Sequence, residues 1–184
     1  MIIGVAGLNG AGKGEVIKLL EAKGFVAMSL SDVIRDVLRA QGLDESRERM
    51  IEAGRVLRAE GGPSVLGERM LAKMDPAGDY AVDSVRHPAE VEPLRGDGRP
   101  FLLLWVDANE SVRFDRMRAR GRVGDPETLE ELRILEAREL GSANPAAQQL
   151  NAVQEISDRV LKNDAGIDVL SAALDEALTS VIAS

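Results

Sequence analysis

A glycine-rich segment near the start of the chain has the residue types and the spacing of a phosphate-binding loop. Residues 7–14 read Gly-Leu-Asn-Gly-Ala-Gly-Lys-Gly, follow the apolar run 2–6 and precede a helical pattern. In this order of strand, loop and helix, glycines let backbone N–H groups converge on phosphate oxygens, and the helix N-terminus adds partial positive charge. We predict a nucleoside triphosphate site in which Lys13 reaches the β and γ phosphates. Its other residues would be Asn9, Gly10, Ala11, Gly12, Gly14 and Glu15.

The position after Lys13 departs from the common form of such loops. Ser or Thr usually stands there and holds Mg²⁺ through its hydroxyl, whereas this chain has Gly14 followed by Glu15. The pattern Gly-x-x-Gly-x-Gly-Lys-Gly resembles adenylate kinase and related nucleoside monophosphate kinases, which also carry Gly after the lysine but normally place Thr next. The resemblance implies ATP as phosphoryl donor and Mg²⁺ as cofactor, with Glu15 beside the water shell of the metal.

Composition and charge narrow the classes of function. The chain has 184 residues, 45% hydrophobic and 29% charged, a balance typical of one soluble domain with a sizeable core. It has no cysteine, so disulfides and thiolate metal sites are excluded. The net charge of −8 argues against a general nucleic-acid binder, which needs a basic face. No apolar stretch approaches membrane-spanning length and no leader precedes the first strand, so we expect a cytoplasmic protein without a membrane partner.

Apolar runs alternate with helical patterns along the chain, which indicates an α/β fold with a parallel sheet. The expected strands cover residues 2–6, 25–28, 80–83, 101–106 and 159–162. Asp125-Pro126 is expected to cap a helix that reaches about Leu140. We therefore predict a single domain with the three-layer P-loop NTPase fold, in which five parallel strands carry helices on both faces. Ligands of such folds bind at the carboxyl ends of the strands.

The segment after the second expected strand, residues 29–35, resembles the acceptor-binding segment of adenylate-kinase-like enzymes. The resemblance implies that Asp32 and Arg35, which share a helical face, hold the acceptor nucleotide. The alternative is that Asp32 caps a helix and Arg35 is solvated. A helical insertion at about 31–74 would bind the acceptor. Within it Arg55 and Arg58 share a helical face and would either bind the acceptor phosphate or be solvated. Leu57-Arg58 lies before Gly62-Pro63 and is similar to Leu-Arg segments before Gly-Pro in deoxynucleoside monophosphate kinase-like proteins, a resemblance that favours Arg58 over Arg55.

Residues 83–86, Asp-Ser-Val-Arg, look like the Asp-Gly-Ile/Val-Arg segment of the same kinase group. By this resemblance Asp83 would orient the acceptor or a water of Mg²⁺, and Arg86 would bridge the donor and acceptor phosphates. His87, the only histidine, suggests acid–base chemistry. Phosphoryl transfer depends on positioning and charge stabilisation rather than proton shuttling, so we expect His87 to be a loop residue.

Five arginines lie between residues 113 and 122, a run that is usually a solvated helix face. In the resembled kinase group, however, the segment after the fourth strand is a lid whose arginines close on the triphosphate, here at about 113–150. Arg116 and Arg120 share a helical face and would act in catalysis, with Arg122 as an ATP contact. Asn163 lies in a segment similar to the loop that abuts the donor base, although a tight turn explains it equally well.

These features together predict transfer of the γ-phosphoryl group of ATP to a small phosphorylated acceptor, with a nucleoside or deoxynucleoside monophosphate as the favoured class. The catalytic residues would be Lys13, Arg86, Arg116 and Arg120, and the partners would be small-molecule nucleotides. Dephospho-coenzyme A kinase is an alternative, because its acceptor is a ribose hydroxyl and its catalytic Asp belongs where Asp32 stands. A non-catalytic nucleotide-binding protein or an ATPase is a third reading. The base, the sugar and the oligomeric state stay open.

Overall fold

A five-stranded parallel sheet forms the centre of the fold, in the order β2-β3-β1-β4-β5. The structure is a computed structural model that describes residues 1–122, 124–140 and 146–182, with only the backbone at 138, 181 and 182. The strands are β1 (Ile2–Gly7), β2 (Val26–Ser29), β3 (Tyr80–Asp83), β4 (Phe101–Asp107) and β5 (Arg159–Lys162). Because all five run in the same direction, their carboxyl ends meet at one edge of the sheet.

Nine α-helices connect or follow the strands in the described residues. They are α1 (Lys13–Ala22), α2 (Leu30–Ala40), α3 (Arg47–Gly61), α4 (Val65–Leu71), α5 (Val91–Arg95), α6 (Glu110–Arg120), α7 (Leu129–Leu140), α8 (Leu150–Glu155) and α9 (Ile167–Ile182). A 3₁₀ turn, Pro88–Glu90, precedes α5. Helix α3 packs against α2 and α4, so the segment between β2 and β3 forms a helical unit beside the sheet.

Alternation along the central strands gives the molecule two cores, one on each face of the sheet. On one face, the buried side chains of Ile2 and Trp105 join residues of α2, α4, α5 and α8. On the other, Ile3 and Leu104 join residues of α1 and α9. Both faces of β1 and β4 are therefore covered, as the continuous apolar run of β4 predicts. The three-layer α/β fold is confirmed.

Element bounds agree with the sequence over most of the chain, with two differences. The helix expected to be capped by Asp125-Pro126 begins instead at Leu129, where the Oγ1 atom of Thr128 accepts the backbone N–H of Glu131 at 3.2 Å. Asp125 is engaged by Arg120, so its carboxylate serves an ion pair rather than a cap. The short helix α8 was not predicted.

Parts of the predicted lid, residues 123 and 141–145, lie outside the described residues. None of the helices in the described ranges is both long and apolar enough to cross a membrane.

Candidate active site

An open cleft of about 1250 Å³ lies at the carboxyl ends of the strands and contains most of the residues predicted from the sequence. It runs from the phosphate loop to helices α2 and α3. The predicted residues that line it are Asn9, Gly10, Gly12, Lys13, Gly14, Glu15, Arg35, Arg58, Asp83, Arg86, Arg116, Arg120, Arg122 and Asn163. The sheet topology thus gathers side chains that are far apart in sequence, such as Lys13 and Asn163, which are 150 positions apart.

The phosphate loop is shaped by two glycines whose backbone conformation and surroundings exclude a side chain. Gly10 has φ of 77°, and an added Cβ would lie 2.5 Å from the carbonyl oxygen of Arg113. Gly12 has φ of 102°, and its Cβ would lie 2.0 Å from the Nδ2 atom of Asn163. That amide also donates to the carbonyl oxygen of Ala11 at 2.8 Å. Asn163, predicted to abut the donor base, therefore fixes the loop backbone through Ala11, which is itself buried.

Lys13 is folded back on its own loop. Its Nζ donates to the carbonyl oxygens of Gly7 and Leu8 at 2.8 and 2.9 Å. Burial, and next the neighbouring charge of Arg86, lowers the pKa of Lys13 from 10.5 to about 8. A phosphate group would offer this amine a full negative charge in place of carbonyl dipoles. The protonated form of Lys13 is thus less stable than in water, and a phosphate group bound in the loop would stabilise it.

Arg86 is held by a carboxylate from the lid region. Glu139 of α7, whose side chain is 5% exposed, accepts from Arg86 at 3.0 Å, from Arg47 at 2.6 Å and from the amide of Asn9 at 2.7 Å. Burial acts to raise the pKa of Glu139, but the charges of Arg86 and Arg47 and their hydrogen bonds outweigh it, so this pKa lies below its ordinary value. Glu139 therefore joins the phosphate loop, α3 and the segment after β3.

Arg58 forms a buried ion pair with Glu90. The side chain of Arg58 is 5% exposed and that of Glu90 is fully buried. Two guanidinium nitrogens of Arg58 donate to Glu90 Oε1 at 3.0 and 2.7 Å. Glu90 Oε2 accepts the backbone N–H groups of Arg86 and His87 at 2.9 and 3.0 Å. Arg58 reaches the cleft, but its position is set by a contact that also fixes the backbone of the Arg86 segment.

His87 occupies a loop position, as expected. Its Nδ1 accepts the backbone N–H of Ala89 at 3.1 Å and caps the 3₁₀ turn. It is not among the residues that line the cleft in the described part of the chain.

The arginines of α6 divide into two groups. Arg116 lines the cleft and donates to the carbonyl oxygen of Asn163 at 2.8 Å. Arg120 lines it too and forms a two-bond ion pair with Asp125, each bond 2.8 Å long. Arg113 instead is buried, donates to the carbonyl oxygen of Ala108 at 2.9 Å and pairs with Glu136 of α7. Arg113 thus connects α6 to α7, while Arg116 and Arg120 line the cleft.

Two predicted acceptor residues do not line the cleft. Asp32 is exposed and pairs with Arg35 at 2.7 Å. Arg55, also exposed, pairs with Glu52 at 2.6 Å on the same helix. The cleft therefore receives Arg35 of the pair predicted after β2 and Arg58 of the pair predicted in α3.

The oxygen groups suited to Mg²⁺ are two carboxylates on the same cleft. Glu15 is exposed and pairs with Lys18 at 2.9 Å. Asp83 ends β3, and its Oδ1 accepts the backbone N–H of Ser84 at 2.6 Å. No group of three or more His, Asp or Glu side chains in the described residues is arranged to hold a metal ion by itself. Mg²⁺ is commonly held by one or two carboxylates together with substrate phosphates and water, so Glu15 and Asp83 fit this mode.

Groups of the cleft that were not identified from the sequence include Arg47, Ser84 and Glu139, and the sequence also did not identify Glu90, which pairs with Arg58 without lining the cleft. Charged residues at helical spacing are usually solvated, so nothing in the sequence separated Glu139 from its acidic neighbours. Glu90 offered one signal. It stands three residues after His87 and follows Pro88, as in a capping box at a helix start.

Comparison with known proteins gives the family of this chain and the solved structures that share its fold. A family model described as an AAA domain matches residues 3–136. A UPF0200 protein of Hyperthermus butylicus is 32% identical over 174 residues, which cover 94% of this chain and 90% of that protein. Among solved structures, TT1252 from Thermus thermophilus has a TM-score of 0.62 at 20% identity and covers 98% of this chain and 97% of its own.

Shikimate kinase from Acinetobacter baumannii, solved in complex with shikimate, has a TM-score of 0.55 at 16% identity and covers 99% of this chain and 93% of its own. These two solved structures share the fold. At 20% and 16% identity they show a likeness of fold alone. On the sequence matches, the chain is a member of the UPF0200 family and carries an AAA domain over residues 3–136.

Proposed function

We propose that this protein transfers the γ-phosphoryl group of ATP to a small phosphorylated acceptor, with nucleoside and deoxynucleoside monophosphates as the favoured class. One observation carries the proposal: a single cleft of about 1250 Å³ has the phosphate loop at one end and Arg35 at the other, with Arg86 lining it as well. Pockets for one small molecule typically measure about 300–1,000 Å³, so the cleft has room for a donor and an acceptor.

The donor half comprises the phosphate loop, the N-terminus of α1 and the arginines of α6. Backbone N–H groups and the helix dipole favour the polyphosphate there. Lys13 would exchange the carbonyl oxygens of Gly7 and Leu8 for phosphate oxygens, which restores the charge that burial disfavours. Arg116, Arg120 and Arg122 would neutralise the charge that spreads over the transferring group.

Mg²⁺, when bound, would neutralise charge on the β and γ phosphate oxygens. Glu15 and Asp83 would hold its water molecules, since Gly14 has no hydroxyl to offer. The chain's own contribution is electrostatic and geometric, because phosphoryl transfer requires alignment of the attacking and leaving oxygens.

The acceptor half would comprise Arg35, Arg58 and Asp83, and Arg86 would bridge it to the donor half. An oxygen of the acceptor attacks the γ phosphorus, the bond from that phosphorus to the β-bridging oxygen breaks, and ADP leaves. Arg86 lies between the halves, and Glu139 keeps its guanidinium in place at 3.0 Å. Arg35 pairs with Asp32 and Glu45 at 2.7 and 3.3 Å, so an acceptor phosphate would compete with these carboxylates.

A hydroxyl acceptor is the second candidate, as in dephospho-coenzyme A kinase. Its supporting observation is the position of Asp83 between Ser29, its partner in the β2–β3 register, and Ser84. A carboxylate beside two hydroxyls suits a substrate hydroxyl that must lose a proton. The shikimate in the neighbouring kinase structure is a compound of this hydroxyl-bearing kind.

The deciding experiment is a coupled assay of ADP release with MgATP and one added compound at a time: AMP, CMP, dAMP, dTMP, dephospho-coenzyme A or shikimate. We expect a monophosphate to accelerate ADP release at least tenfold over ATP alone. Acceleration only by dephospho-coenzyme A or shikimate selects the hydroxyl acceptor. Release that no compound changes selects an ATPase and overturns the proposal. Glu139 would be a poor base for hydrolysis, because its pKa is lowered and three donors occupy it.

The division into two halves has its own test in a matched pair of arginines. Arg35→Ala should weaken acceptor binding roughly ten- to a hundredfold, as expected for one charge-assisted hydrogen bond, and leave ATP binding unchanged. Arg55→Ala is the control, because Arg55 also forms an i,i+3 ion pair on an exposed helix face but does not line the cleft. A loss of ATP affinity in Arg35→Ala would place Arg35 in the donor half.

A further inference from the structure

Ser84 has an unfavourable backbone conformation at the point where β3 enters the cleft. Its φ is 67°, and no other non-glycine residue in the described ranges has a positive φ. Glycine adopts this region without steric penalty, whereas a Cβ makes it unfavourable. Strained residues of this kind cluster at binding sites, where the side chain has a use that outweighs its local preference. The serine side chain is therefore the feature to explain.

The hydroxyl of Ser84 belongs to a small polar group at the ends of β2 and β3. The parallel register pairs Ser29 with Asp83, which brings the residue after Asp83 beside Ser29. Ser29 Oγ donates to Ser84 Oγ at 3.2 Å and accepts the backbone N–H of Ser31 at 3.3 Å. Hydrogen-bonded hydroxyl pairs usually approach to about 2.7–2.8 Å, so the contact between Ser29 and Ser84 is long. A hydrogen bond of this length is too weak to explain the unfavourable backbone conformation of Ser84.

The remaining hydrogen-bonding capacity of this pair faces the cleft. Ser29 and Ser84 both line it, together with Asp83 and Ser31. A hydroxyl has one donor and two acceptor positions. Ser84 Oγ accepts from Ser29, and its own O–H has no partner within the described parts of the chain. Since β2 leads directly into α2 and Arg35, this O–H lies on the acceptor side of the cleft.

We propose that the paired hydroxyls of Ser29 and Ser84 bind an oxygen of the phosphoryl acceptor, with Ser84 as the donor. The inference rests on the proposed function and adds to it a residue that discriminates among acceptors. A phosphate oxygen of a monophosphate and a hydroxyl of a sugar can both accept this bond. The ionised carboxylate of Asp83 can only accept a hydrogen bond, so a sugar hydroxyl, which can donate one to it, would bind here in preference to a phosphate oxygen, which cannot.

The test uses two substitutions that remove the same hydroxyl and differ in backbone strain. Ser84→Ala keeps the penalty of a Cβ at positive φ, and Ser84→Gly removes it. Both should raise the KM of the acceptor about three- to tenfold, as expected for one neutral hydrogen bond, with the KM of ATP unchanged. AMP and dephospho-coenzyme A are assayed separately, so that the larger effect identifies a phosphate or a hydroxyl as the bound oxygen.

Stability gives a second readout that does not depend on turnover. The thermal midpoint of Ser84→Gly should exceed that of Ser84→Ala by about 2–4 °C, because only alanine retains the strain. Equal midpoints would overturn the strain argument. An acceptor KM that is unchanged in Ser84→Ala would overturn the role of the hydroxyl. A KM that rises in Ser84→Ala but is normal in Ser84→Gly would do the same, and both results leave the proposed function intact. Wild-type protein that binds none of AMP, CMP, dAMP, dTMP, dephospho-coenzyme A and shikimate in calorimetry would overturn both.

Discussion

The buried pair of Arg58 and Glu90 leads to a prediction about stability that separates two roles for Arg58. Glu90 is fully buried and accepts four hydrogen bonds: two from Arg58 at 3.0 and 2.7 Å, and the backbone N–H groups of Arg86 and His87 at 2.9 and 3.0 Å. Arg58→Met keeps the apolar stem and removes the charge. The carboxylate would then be buried with two backbone donors and no counterion.

Breaking one side of a buried ion pair typically costs about 3–5 kcal/mol, a large part of the roughly 5–15 kcal/mol by which domains are stable. At about 2–4 °C per kcal/mol for a chain of this size, the thermal midpoint should fall by roughly 6–20 °C. The double variant Arg58→Met with Glu90→Gln should recover part of this loss, because no unpaired charge is left in the interior.

Urea denaturation and calorimetry measure these changes, and Arg55→Met is the matched control. Arg55 lies on the same helix, and its exposed pair with Glu52 should contribute about 0–1 kcal/mol. If Arg58→Met unfolds at the midpoint of Arg55→Met and loses only acceptor affinity, the structural role is refuted. Arg58 would then be a direct acceptor ligand, as the sequence suggested.

Three further predictions concern charges around the phosphate loop. The pKa of Lys13 is about 8 without a bound anion, so ADP binding should take up close to one proton at about pH 9 and far less at about pH 7. Calorimetry in buffers of different ionisation enthalpy measures this proton uptake. Uptake that persists in Lys13→Met would contradict the assignment to Lys13. Glu139→Gln removes a negative charge beside Arg86 and should tighten ADP binding roughly fivefold, or about 1 kcal/mol, while lowering the thermal midpoint; weaker binding would show that its charge assists the site. Glu15→Ala, which removes the carboxylate without adding a hydroxyl, should raise the Mg²⁺ concentration needed for half-maximal ADP binding, measured by titration; faster turnover at an unchanged Mg²⁺ requirement would show that the native carboxylate hinders the reaction.

Local sequence patterns predicted most of the helices and strands and the phosphate loop. The third and fifth strands and the last helix have the bounds that periodicity predicted, because each is a continuous apolar or amphipathic run between turn residues. The expected cap at Asp125 was wrong, because its carboxylate pairs with Arg120 and the helix begins only at Leu129. Helix α8 has six residues, too few for a clear helical period.

The chain by itself therefore determined the fold class and the phosphate loop, since periodicity, glycine spacing and Lys13 are local properties of the sequence. It could not determine which charges meet. Arg58, Arg55 and Arg35 look alike in sequence, and only packing makes the first a buried partner of Glu90 and leaves the second on the surface. Glu139 bonds to Asn9 across 130 residues of sequence because α7 packs against α6 and α8. Ion pairing and pKa values depend on distance and burial, and these are set only when the elements pack together.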